Sequence, residues 1–88
     1  MNQKGENMNK VIITVVGKDT VGIIAKVCTY LAEHRVNILD ISQTIVQEYF
    51  NMMMIADMEH ASGSFDEIAT GLDQIGEAIG VKIKCQRE

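Results

Sequence analysis

An apolar, β-branched run stops at Gly17, crosses four residues, and restarts at Gly22 with helical spacing. The stretch reads Val15-Val16-Gly17-Lys18-Asp19-Thr20-Val21-Gly22-Ile23-Ile24-Ala25. A buried strand that turns sharply into a helix gives this pattern. A glycine at each end lets backbone approach backbone, or a ligand, with no Cβ between them. The first amides of the helix would face whatever sits above the turn, backed by the positive end of the helix dipole.

Six elements are arranged around this corner. Lys10 to Val16 predicts a strand with apolar residues on both faces, and so a central one. Val21 to His34 predicts a helix, with Ile23, Ile24, Val27, Cys28 and Leu31 at helical spacing. Thr20 or Asp19 is the expected N-cap, and His34-Arg35 the expected end. Val36 to Val46 is extended, but its alternation slips: Ile38 is in phase with Val36, whereas Ile41 and Ile45 are not. A β-bulge near Leu39-Asp40 would restore one buried face. Gln47-Glu48 serves as a hairpin turn into a strand from Tyr49 to Met58. There Phe50, Met52, Met54, Ala56 and Met58 share the core parity. Ser64-Phe65-Asp66-Glu67 is a capping box opening a second helix. Phe65, Ile68, Leu72, Ile75 and Ile79 form its apolar stripe. Gly71 and Gly76 within it imply close packing, and Gly80 is the expected stop. Val81 to Gln86 closes the chain as an alternating strand.

Strand, helix, strand, strand, helix, strand is the βαββαβ order of the ferredoxin-like α+β sandwich. Its four-stranded antiparallel sheet carries both helices on one face, with the first and third strands central. The opposite face would hold Ile12, Val16, Met53 and Ile55 without cover, which implies a partner, either edge to edge or face to face. At 88 residues the chain makes one domain, taken as residues 10–88, preceded by a polar flexible leader over residues 1–9.

Several function classes are excluded. A net charge of -4 lacks the basic stripe of a nucleic-acid binder. No apolar run approaches the ~20 residues of a membrane span, and the first residues do not form a signal peptide. A cytoplasmic protein is expected. Cys28 and Cys85 lack C-x-x-C spacing and read as reduced, buried, small apolar residues. Met52-Met53-Met54 tempts a copper(I) reading, but neighbouring strand residues point to opposite faces and cannot converge. His34 and His60 have no ligand spacing and read as surface residues. No nucleophile has a base beside it in any known pattern, so no catalytic residue, metal or cofactor is assigned.

The corner, taken with Val36-Asn37-Ile38-Leu39-Asp40-Ile41-Ser42-Gln43 after the helix, resembles the ACT domain, the small amino-acid-sensing module of metabolic enzymes and regulators. The paired motifs are G-x-D-x-x-G-I and N-I-x-D-I-S-Q. The strand carrying Tyr49-Phe50-Asn51-Met52-Met53-Met54 is further similar to the free-standing single-ACT proteins of the UPF0237 group. The resemblance implies a non-enzymatic homo-oligomer, most simply a dimer, that binds an amino acid or similar small metabolite where subunits meet. It implies a cradle of Asp19 with the amides of Val21, Gly22 and Ile23. Asn37 and Ile38 would face that cradle from the same or the neighbouring chain. Asp19 reads equally as a turn residue, and Asn37 as a turn residue tolerant of positive φ. The alternative function is a ligand-free interaction module acting in trans on a metabolic enzyme or transcriptional regulator.

Overall fold

The computed structural model describes residues 9–18 and 22–88. The leader expected over residues 1–9 therefore falls almost wholly outside the described residues. Asn9 is described, and its carbonyl accepts a hydrogen bond from the Met58 amide at 2.9 Å. The elements are β1 (Lys10–Lys18), α1 (Ile23–Glu33), β2 (Asn37–Val46), β3 (Tyr49–Asp57), α2 (Phe65–Ile79) and β4 (Lys82–Arg87). The antiparallel sheet runs β2-β3-β1-β4, so the first and third strands are central as the sequence predicts.

Strand alternation decides what is buried. Val11, Ile13 and Val15 of β1 pair with Ala56, Met54 and Met52 of β3, and all six are buried. Ile23, Val27 and Leu31 of α1 and Ile68 and Leu72 of α2 complete a single aliphatic core. Each such side chain contributes about 1.5–3 kcal/mol when fully buried.

The capping box forms as read. Ser64 Oγ accepts from the Glu67 amide at 3.1 Å, and Glu67 Oε1 accepts from the Ser64 amide at 2.9 Å. Gly80 ends α2 in the left-handed conformation, φ 79°. Ser64→Ala is expected to cost about 1 kcal/mol, while Ser64→Gly costs a few tenths. Thermal unfolding followed by circular dichroism should show the alanine midpoint falling by about 4–8 °C.

The glycines in α2 mark close approaches. A Cβ on Gly76 would lie 2.7 Å from the Val81 carbonyl oxygen. A Cβ on Gly71 would collide with the Tyr30 hydroxyl, which reaches across from α1 and donates to the Ile68 carbonyl at 3.2 Å. Burial, then the nearby Cys85 and Glu67, push the Tyr30 phenol above its ordinary pKa, so it stays a donor.

Five expectations are corrected. The first helix starts at Ile23, with Gly22 as its N-cap, because φ 89° at Gly22 cannot belong to a right-handed helix. Asp19 and Thr20, the expected caps, lie outside the described residues. The bulge sits between Ile38 and Asp40 as read, but it does not give β2 a buried face. Ile41 and Ile45 remain 41% and 56% exposed, because β2 is a sheet edge that contributes no residue to the buried core. Arg35, not Asn37, takes the positive φ at the end of the helix, 61°. His34 is half-buried rather than on the surface; it stacks on Tyr30 at 4.2 Å and its Nδ1–H donates to the Tyr30 carbonyl at 2.8 Å. Cys28 and Cys85 are unpaired as expected, but both are half-buried. Burial pushes the Cys85 thiol up and keeps it protonated. No helix among the described residues is long and apolar enough to cross a membrane.

Candidate functional site

The strand-to-helix corner lies at one end of the sheet. Lys18 ends β1 there, opposite Tyr49, which in turn pairs with Val46. Gly22 then opens α1 in the left-handed region, φ 89° and ψ 2°, where an L side chain is strained. A Cβ there would meet nothing within 4 Å, so backbone conformation alone requires the glycine. Its carbonyl accepts from the Lys26 amide at 2.9 Å, the first bond of the helix.

The two helix starts differ. The N-terminus of α2 is capped by Ser64 and Glu67 and has Asp66 and Glu67 in its first turn. That of α1 has no acidic residue in its first turn, and no described side chain caps it. The first amides of a helix have no partner inside it, and they favour negative charge. Among the described residues, no acidic side chain stands at the α1 start to repel an anion, as Asp66 and Glu67 do at α2.

The expected site residues divide into two groups. Gly22 and Ile23 stand at the corner. Ile23 is 2% exposed, so only its amide can reach a ligand while its side chain anchors α1 in the core. Asn37 and Ile38 stand at the opposite end of the sheet. Asn37 is exposed and pairs with Asp57, which pairs with Lys10 at the far end of β1. Nine residues of β1 separate the two ends, about 26 Å at a strand's rise. Ile38 is half-buried against the core beside Ala56. Asp19 and Val21 lie outside the described residues. Within one chain the structure does not bring Asn37 and Ile38 to Gly22 and Ile23. Crossover geometry carries the signal for this: a helix returning along β1 must start β2 where β1 began.

The exposed length of β2 was not read from the sequence. Leu39, Ile41, Ile45 and Val46 are 41–57% exposed along an edge whose outer backbone groups have no described strand beside them. Among the described residues, no group of His, Cys, Asp or Glu side chains is placed to hold a metal ion.

The profile of the ACT domain matches residues 9–86. The chain belongs to the ACT-domain family. ACT domains are regulatory modules that bind small ligands and oligomerise, and the chain is of that type rather than an enzyme. A UPF0237 protein of Bifidobacterium longum is 63% identical, over 92% of this chain and 90% of its own length. The solved ACT domain protein from Streptococcus pneumoniae superposes with a TM-score of 0.79 at 42% identity, covering 91% of this chain and 90% of that one. The regulatory subunit of aspartate kinase from Thermus thermophilus shares the fold, with a TM-score of 0.69 at 23% identity over 91% of this chain and 52% of that one.

Proposed function

We propose that this ACT domain binds an amino acid or a similarly small metabolite between two copies of the chain, at the Gly17–Ile23 corner. One observation carries the reading. The two halves of the paired motif stand at opposite ends of the sheet, and β2, which begins with Asn37, is an open edge. Antiparallel pairing of two β2 edges about a two-fold axis sets Asn37 of one copy beside Val46 of the other. Val46 is at the corner end of its own sheet. Both motif halves then meet across the interface, twice. Exposed Leu39, Ile41 and Ile45 supply apolar surface for that pairing.

The chemistry suits an amino acid. The first amides of α1 take the α-carboxylate. The Asp19 carboxylate or the Asn37 side-chain oxygen takes the α-ammonium. Regulatory function is consistent with the fold shared with the aspartate kinase regulatory subunit. Unpaired Cys28 and Cys85 fit a reducing, cytoplasmic setting, and residues 10–88 act as one domain in this reading.

Thermal-shift screening of the twenty proteinogenic amino acids at millimolar concentration tests the proposal. At least one should stabilise the fold, by about 2.7 kcal/mol at a hundredfold excess over its Kd. Calorimetry should then give one site per chain. A screen in which none moves the midpoint overturns the ligand.

A further inference from the structure

The sheet face away from the helices has a second, independent feature. By register, its residues form cross-strand rows: Asp40-Ile55-Ile12-Gln86, Ser42-Met53-Thr14-Lys84 and Thr44-Asn51-Val16-Lys82. A further row carries Asn37, Asp57 and Lys10. The centre is apolar, with Val16 46% and Met53 50% exposed and Ile12 and Ile55 half-buried. The charges are sorted by side. The acids Asp40 and Asp57 lie on the β2–β3 half, whereas Lys10, Lys18, Lys82 and Lys84 lie on the β1–β4 half, where Glu88, its amide bonded to the Lys10 carbonyl, adds one acid at the end.

We propose that this face packs against the same face of a second copy, about a two-fold axis lying between the sheets and parallel to the strands. That axis places the β2–β3 half of each copy over the β1–β4 half of the other. Asp57 then faces the Lys10 position of the second copy, and Asp40 comes within a lysine's reach of Lys84. The axis perpendicular to the strands is disfavoured, because it sets Lys84 against its own copy. Shape agrees with charge. A shallow depression of about 230 Å³ is lined by Thr14, Val16, Ser42, Thr44 and Asn51, beside Met53. Under the favoured axis, the projecting Met53 of each copy enters the other's depression at Thr14. Area agrees as well. Four strands about 4.8 Å apart, paired over about eight residues, bury about 500 Å² per copy, and the pair reaches the ~1,000 Å² of a specific interface.

This contact is separate from the β2 edge and does not depend on a ligand. The face axis runs over the middle of the sheet and the edge axis lies outside β2, so the two do not meet: with edge pairing also present the contacts build an open array, and alone the face builds a dimer. Sedimentation equilibrium tests it in either case. Met53→Asp buries an unpaired charge at the contact and should reduce a face dimer to a monomer, or an edge-linked array to the edge dimer, with an unchanged circular-dichroism spectrum, since Met53 is outside the core. Asp40→Lys and Lys84→Asp, made separately, should each weaken association more than about tenfold. Mixing the two variant chains should restore it. The two substituted side chains, of opposite charge, then face each other in one contact, and the native Asp40 and Lys84 face each other in the second. The two positions are three strand spacings apart within one chain, about 14 Å, so intrachain repair cannot mimic the rescue. An unchanged mass for Met53→Asp, or a mixture no tighter than its parts, overturns the proposal. Amino-acid binding retained by Met53→Asp separates this contact from the ligand site.

Discussion

Leu72→Ala is expected to lower the unfolding free energy by about 3 kcal/mol, within the 2–5 kcal/mol that buried leucines cost on truncation. Leu72 is fully buried on the face of α2 that packs onto the sheet. The surroundings cannot collapse to fill the hole. One residue back, Gly71 is pressed against the Tyr30 hydroxyl, and one turn on, Gly76 is already against the Val81 carbonyl. A helix held that close at both places cannot move further in, so most of the cavity remains. Against the 5–15 kcal/mol typical of such domains, this loss is a large part of the total. The melting midpoint should fall by about 12–24 °C, at 4–8 °C for each kcal/mol. A loss below about 1 kcal/mol would mean that α2 can slide toward the sheet, contrary to the packing at Gly76.

The second large effect concerns the shared site. On the proposed reading, Asp19→Ala and Asn37→Ala each remove a contact from every site, because each site draws one residue from each chain. Either variant alone should bind the screened amino acid at least about tenfold more weakly than the parent, as for a lost charged or polar contact. An equal mixture of the two variant chains should regain tight sites. In a two-fold assembly, half the pairs are mixed, and each mixed pair holds one doubly altered and one intact site. Calorimetry should therefore count about a quarter of the parent's sites at the parent's affinity. Sites built within one chain would recover none.

What was legible in the sequence follows from local rules. The period-two parity of Val11, Ile13 and Val15, and of Phe50 through Ala56, fixed the inward face of the two central strands. The parity slip at Leu39 located the bulge, and Ser64 with Glu67 located the start of α2. The illegible parts depend on residues far apart in the chain. Gly71 could be read as close packing, but Tyr30, 41 positions earlier, could not be named as its partner. The parity of Ile41 and Ile45 says which face they take, not that the helices leave that part of the face bare. The start of α1 misled because Val21 continues the apolar spacing while the positive φ of Gly22 interrupts the helix.

The seating of Tyr30 in the Gly71 notch has a mechanical consequence. Its ring occupies the space a side chain would take on α2, and its hydroxyl is tied to the α2 backbone at Ile68. Sliding α1 along α2 would break both contacts at once. A push at the Gly22 end of α1 would therefore be passed to α2 as well. On the proposed reading, with the ligand at the corner, that stiffness would let a binding event there be felt at the far end of the domain, where Arg35 leads into β2.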